Sequence, residues 1–525
     1  MNTVLKFTLT VLIVGFTFAS CQNETSETDL TKESLIPKPL NVFSTNSSFL
    51  LDEYSNIQTS ETDGFYEVGK FLSEKINDRT KLALEVNSDK GVILINKVDK
   101  YQFSNKESYE LHISNDSIVV NALSAEGAFR AVQTIRQLIP FKSESTDKDT
   151  WIIPTGTISD SPNYNYRGAM LDVSRHFFSV EDVKKYIDVI AYYKMNTLHL
   201  HLSDDQGWRL EIKSWPELAN IGGLKEVGGG QGGFFTQDDY IEIVNYATKH
   251  HIVVIPEIDM PGHTHAASTA YPFLNGAKDY IKILDQSIPD RRSLLYTGVE
   301  VGFSTFDTRK EEVYDFIDDV IREIAAITPG PYIHMGGDES LVTDEDDYKY
   351  FVSRVSKIIN KYGKTMIGWD EVATADVPDN SIVQFWAEEE NAKLAKDKGL
   401  KIIMSPAKKA YLDMKYDSLS KIGTHWAAYI PVKDSYEWTP EKYADGITKN
   451  DILGVEAPLW SETITNREEL EYLAFPRVIG IAEVGWTTEE NRKWNDYKER
   501  LANQAPYLNG MNIKYYPSKL INWKK

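Results

Sequence analysis

The stretch HMGGDES, from His334 to Ser340, sets two acids side by side directly after an apolar run and two glycines. Adjacent carboxylates repel, so the pair Asp338–Glu339 needs a reason. One reason is a helix N-cap, where both acids would complement the helix dipole and do no chemistry. The other is acid–base work at the end of a buried strand. Acids and aromatics recur at the ends of other apolar runs: Asp172 with Arg175, Asp204 with Asp205, Glu257, Asp259 and His263, Trp369 with Asp370 and Glu371, then Trp386, Tyr411, Asp413, Trp460 and Glu462. Salt bridges account for a few such residues, but a polar site with aromatic walls accounts for all of them together. Sugars need that combination, with rings to stack on and polar groups to bind hydroxyls. His199 and His201 alternate on one run and His263 and His265 sit in PGHTHA. That spacing raises a metal site, but His199 and His201 precede the end of their run, so a core or supporting role outweighs zinc. No GxSxG elbow offers a serine nucleophile.

These residues need a scaffold that gathers strand ends at one face. Eight apolar runs follow Tyr166: RGAMLDV from Arg167, NTLHLHL from Asn196, HIVVIPEID from His251, YIHMGGDE from Tyr332, KTMIGWDE from Lys364, SIVQFWA from Ser381, KIIMSPA from Lys401 and ILGVEAPLW from Ile452. Helical periodicity lies between several, as in VEDVKKYIDVIAYYK and EEVYDFIDDVIREIAAI. Eight such units predict an α/β chain with a (β/α)8 TIM barrel over residues 159–525, active at the C-terminal strand ends. An open doubly wound sheet is the alternative, but no GxGxxG follows any of these runs. The glycines of GGGQGG, 228–233, lack a following Lys-Ser/Thr and read as a mobile loop. Residues 35–158 read as a smaller α+β domain, with strand-like GVILINK and SIVVNAL and the helical AEGAFRAVQTIRQLI; the SDSPNY turn marks its end.

Composition narrows the partners. The 525 residues carry 78 acidic and 57 basic side chains, a net charge of −21, which disfavours nucleic acid and anionic membrane surfaces and favours a neutral or cationic substrate. Residues 1–20 combine Lys6, the apolar run VLIVGF and small residues before Cys21, as a secretory signal does. Cys21 is the only cysteine, so it has no internal disulfide partner. The segment FASC resembles the lipobox of bacterial lipoproteins, which implies lipidation of Cys21, a flexible tether over 21–34, and a membrane connection only through that anchor. An ordinary cleaved signal with an incidental cysteine is the alternative.

HMGGDE together with RGAMLDVSRHFF, HLHLSDDQGWR, PEIDMPGH, IGWDE and GVEAPLWSE resembles the family 20 glycoside hydrolases, the exo-acting β-N-acetylhexosaminidases, from about Ile36 to about Trp486. The resemblance implies removal of terminal β-linked GlcNAc or GalNAc from oligosaccharides without metal or cofactor. It also implies that the substrate's own 2-acetamido oxygen attacks the anomeric carbon, so that neighbouring acids suffice. Glu339 would then be the general acid and later the base, its pKa raised by its neighbour, and Asp338 would orient the acetamido N–H. Arg175 and Glu462 would bind hydroxyls at the non-reducing end, and Asp413 the 6-hydroxyl. Trp369, Trp386 and Trp460 would enclose the acetamido methyl, with Tyr411 donating to its carbonyl, and Trp426 would stack on the aglycone. Asp204 and His263 would support Glu339, with Asp205 as the alternative partner. Two other readings remain: a disaccharide-releasing enzyme of the same family and a non-catalytic glycan-binding lipoprotein.

Overall fold

The computed structural model describes residues 28–524, apart from 63, 88–89, 100–102, 104, 142–150, 279–287 and 289. The expected signal segment, 1–20, and Cys21 lie outside the described residues. Among these residues no helix is long and apolar enough to cross a membrane.

The N-terminal domain is a six-stranded sheet in the order β1-β6-β4-β5-β3-β2. Its strands are β1 (Asn41–Leu51), β2 (Ile57–Thr59), β3 (Ile93–Lys97), β4 (Tyr109–Ile113), β5 (Ile118–Ala122) and β6 (Trp151–Asp160). The helix Ala125–Leu138 starts where the Ser124 side chain accepts from the Gly127 N–H, and Arg136 is the only residue from Gly127 to Leu138 that is not buried. Its Arg130, fully buried, bonds Glu107 at 2.9 Å and the His251 carbonyl at 2.9 Å, while Arg167 reaches the same Glu107 at 2.7 Å. This ionic junction ties the domain to the barrel. Burial pushes the Glu107 carboxyl up, and Arg167 and Arg130 outweigh it, leaving a pKa of about 2.

Two expected boundaries shift. The 158/159 boundary falls inside β6, which continues to Asp160 because its last residues still pair with β4, so the domains meet at 161–165. The expected tether does not extend to residue 34: Leu30–Lys32 form a short 3-10 turn, Leu30 is 1 % exposed, and its N–H donates to Ser44.

The eight expected runs all become strands of a closed parallel barrel: β7 (Tyr166–Asp172), β8 (Thr197–His201), β9 (Val253–Glu257), β10 (Tyr332–His334), β11 (Thr365–Trp369), β12 (Ile382–Phe385), β13 (Lys401–Met404) and β14 (Ile452–Ala457). An isoleucine-rich group with Tyr166 (Ile255, Ile367, Ile382 and Ile403) packs together as one apolar cluster. The register aligns Asp172 with His201, His201 with Glu257, and Glu257 with His334. Four polar side chains thus meet in one row at the C-terminal strand ends. The GGGQGG loop is tied down rather than free: Gly228 donates to the Thr297 carbonyl at 2.9 Å and Arg209 to that of Gly233 at 3.1 Å.

Candidate active site

The two glycines of HMGGDE are required by crowding and by backbone direction. Strand β10 stops at His334, and Gly336 and Gly337 turn with φ of 67° and 103°. A Cβ on Gly336 would lie 1.8 Å from Asp259 Oδ1, and one on Gly337 would lie 2.8 Å from Val372. The turn is pinned by the Gly337 N–H to Asp259 Oδ1 at 3.0 Å and by the Tyr348 hydroxyl to the Gly337 carbonyl at 2.6 Å. Glu339 takes a left-handed φ of 47°, uncommon for a non-glycine residue. The helix-cap reading of the pair fails, because the next helix begins at Glu345 with Asp344 as its N-cap.

Asp338 and Glu339 open into a cavity of about 520 Å³ that Arg175, Trp386, Tyr411, Trp426, Trp460 and Glu462 also line. A larger cavity, about 780 Å³, lies at the opposite face of the barrel around Tyr332 and Arg130. Its buried acid, Glu107, is already neutralised by two arginines, so the chemistry belongs to the smaller cavity. Asp338 is 8 % exposed, and burial pushes its carboxyl up to about 6, with the charge of Glu339 adding and His263 opposing. Asp259 Oδ2 and Asp338 Oδ1 are both buried with no partner in the chain. Burial and the facing Asp338 hold Asp259 well above the carboxylate range.

His263 Nδ1 lies 3.1 Å from Asp204 Oδ1, and its Nε2 lies 3.5 Å from Glu339 Oε2 and 3.8 Å from Asp338 Oδ2. The alternative partner, Asp205, sits 3.8 Å from His263 and accepts instead from the His265 N–H and the Ser304 hydroxyl. Asp204 is therefore the residue paired with His263. Arg175 meets both Asp172 at 3.4 Å and Asp204 at 2.7 Å, and its guanidinium stands 4.8 Å from the Trp460 ring. Arg175 Nε, Glu462 Oε2 and Asp413 Oδ1 have no partner within the chain, though all are buried. Burial and Glu462 push the Asp413 carboxyl up to about 8.

The aromatic groups form a connected wall. Trp460 lies 5.6 Å from Trp369 and 6.2 Å from Tyr411, while Trp426 lies 6.1 Å from Trp386 and 6.0 Å from Tyr411. Trp369 is only 1 % exposed, whereas Trp426 is 60 % exposed at the mouth. Indole N–H groups anchor the wall: Trp369 donates to Glu257 at 2.8 Å and Trp386 to Glu371 at 3.1 Å. Glu371 also accepts from the Glu339 N–H at 3.4 Å. Glu257, Asp259 and Glu371 stood out from the sequence only as acids at strand ends; their connecting roles emerge from the barrel register. His199 points inward between Glu456 and Glu257; His201, expected before the end of its run, is instead the last residue of β8 and stands buried between Glu257 and Asp204. Val299 and Val301 on the cavity wall carried no signal in the sequence.

A parallel (β/α)8 barrel with paired carboxylates and an aromatic-lined cavity at its C-terminal mouth defines a glycoside hydrolase. Residues 164–346 and 340–489 match the model of the glycosyl hydrolase family 20 catalytic domain, and residues 32–161 match domain 2 of that family. A β-N-acetylhexosaminidase from Cellulomonas fimi is 34 % identical over 497 residues, spanning 93 % of this chain and 97 % of the relative. The structure of a GH20 β-N-acetylhexosaminidase from Streptomyces coelicolor A3(2) superposes with a TM-score of 0.88 at 42 % identity, covering 95 % of this chain and 100 % of the other. A mutant β-hexosaminidase from Streptomyces plicatus, in complex with GlcNAc, gives 0.88 at 41 % identity over 95 % and 99 %. The chain belongs to glycosyl hydrolase family 20.

Proposed function

We propose that this protein is a retaining exo-β-N-acetylhexosaminidase that removes terminal β-linked GlcNAc or GalNAc with the substrate's acetamido oxygen as nucleophile. The observation that carries the reading is the pairing of adjacent Asp338 and Glu339 with the Trp386–Tyr411–Trp460 wall in one cavity. Side chains of neighbouring residues serve poorly on opposite faces of one glycosidic bond, so Asp338 and Glu339 suit an anion and an acid on one substrate better than a protein nucleophile and its acid. An aromatic wall beside them suits an N-acetyl methyl, and the Tyr411 hydroxyl suits its carbonyl.

The residues divide the work accordingly. Glu339, partly exposed and facing His263, protonates the leaving oxygen and then activates water. Asp338 as an anion accepts the acetamido N–H and stabilises the positive charge that grows on the ring formed by oxygen attack. Arg175, Asp413 and Glu462, each with an unpaired buried polar atom, close the far end around the hydroxyls of one sugar, which favours cleavage from chain ends. Trp426 at the mouth faces the next residue. The test is release of p-nitrophenol from the β-N-acetylglucosaminide against the β-glucoside: cleavage of the first alone supports the reading, and silence on both rejects it.

The same reading includes export and lipid anchoring at Cys21 in a bacterial envelope, supported by the apolar leader and FASC. Labelling with a fatty acid should mark the wild type and not Cys21→Ser; equal labelling, or none in either, rejects the anchor.

A further inference from the structure

Inside the barrel a chain of opposite charges leads away from the catalytic pair, none of it exposed. Glu456 Oε1 lies 2.9 Å from His199 Nδ1, and His199 Nε2 lies 3.0 Å from Glu257. Glu257 Oε2 lies 2.5 Å from His201 Nδ1, His201 Nε2 lies 2.9 Å from Asp204, and Asp204 meets His263, which faces Glu339. We propose that Glu257 is a positioning residue for the acid step: it holds His201 as an imidazolium, which fixes Asp204 and thereby the His263 that faces Glu339. The proposal rests on the hexosaminidase reading.

Geometry carries it. A neutral imidazole has one N–H, yet both nitrogens of fully buried His201 face carboxylate oxygens at hydrogen-bond distance, where water cannot substitute. Satisfying both contacts requires the doubly protonated ring. Burial opposes that charge, but Glu257 and Asp204 hold His201 well above its usual pKa, and its own histidine neighbours hold Glu257 well below the carboxylate range despite burial. Glu257 Oε1 also accepts from Trp369 Nε1, so one carboxylate joins the aromatic wall to the support of the acid. Asp204 carries three cationic neighbours, Arg175, His201 and His263. Removing the charge of Glu257 deprives His201 of its reason to be protonated. Asp204 then draws harder on His263, and the proton between His263 and Glu339 is withheld from the leaving oxygen.

The test is Glu257→Gln, which keeps size and an acceptor for Trp369, measured for kcat and KM on p-nitrophenyl β-GlcNAc and on chitobiose. Protonation matters most for the poor leaving group, so the loss in kcat on chitobiose should exceed that on the nitrophenyl substrate by roughly tenfold or more, with inhibition by GlcNAc within about threefold of wild type. An equal loss on both substrates, or none, overturns the proposal. His201→Gln should show the same selectivity, and thermal unfolding of both variants is followed alongside; failure of both to fold would make the network purely structural and also overturn it. A wild type inactive on both substrates would instead refute the hexosaminidase reading on which the proposal stands.

Discussion

Replacing Asp338 by Asn isolates the electrostatic half of the mechanism. The side chain keeps its size and its place beside Glu339 but loses its charge. When the acetamido oxygen attacks, a positive charge develops on the new ring next to this carboxylate. Two unit charges about 4 Å apart at an effective dielectric of ~20 interact by about 4 kcal/mol, close to three powers of ten in rate. The structure adds a pH signature. Asp338 is raised to about 6 by burial and Glu339, and it works only as the anion. Below that pH it is protonated, so wild-type kcat/KM should fall about tenfold per unit on the acid side of about 6. Asp338→Asn should lose roughly a thousandfold at pH 7 and should also lose that acid limb, because no carboxyl remains to titrate. The assay is kcat/KM on p-nitrophenyl β-GlcNAc from pH 4 to 8 for both proteins. A variant within tenfold of wild type, or one that retains the same acid limb, would refute this role for Asp338.

Other perturbations separate binding, acid chemistry and stability. Arg175→Ala should cost about 10²-fold or more in kcat/KM, since it removes a buried donor fork and leaves Asp172 and Asp204 uncompensated; thermal unfolding distinguishes this from collapse of the fold. Trp426→Ala should raise KM for chitobiose by roughly threefold to tenfold, the worth of one stacking contact, and change KM for a methyl aglycone little. Glu107→Gln should destabilise the fold by about 3 kcal/mol or more by leaving Arg130 and Arg167 unpaired in the interior, read from denaturant unfolding. Because the pKa of Glu107 is lowered in the folded state, its contribution is present above about 4.5 and is lost as pH falls towards about 2; that acid-side decline should be weaker in the variant.

Much of the barrel was legible because its strands are short apolar runs with acids and tryptophans at their ends, and each run from RGAMLDV to ILGVEAPLW is a strand in the order expected. The catalytic loop was legible because two glycines and adjacent acids directly after the apolar YIHM mark an abrupt turn from a buried strand into a polar loop. Registers across the barrel were not: nothing local says that His201 stands beside Glu257, because partners 56 residues apart meet only when the sheet closes. The Asp204–Asp205 ambiguity has the same origin. Adjacent side chains diverge, and only the position of His263 selects between them. At the domain boundary, TISD continues β6 up to the SPNY turn, so the strand outlasts the point where composition changes. Residues 21–34 look polar enough for a tether, yet Thr28 bonds Ser47 and Leu30 bonds Ser44, both on β1.

The central claim, that the substrate supplies the nucleophile, is tested most directly by weakening that nucleophile alone. Aryl β-glucosaminides carrying N-acetyl, N-fluoroacetyl, N-difluoroacetyl and N-trifluoroacetyl groups share a leaving group and differ in the basicity of the acyl oxygen. If that oxygen attacks the anomeric carbon beside Asp338 and Glu339, kcat/KM should fall steeply along the series, by orders of magnitude from the first to the last. A nearly flat series would show that the acyl oxygen takes no part in bond breaking and would contradict the mechanism assigned to this site.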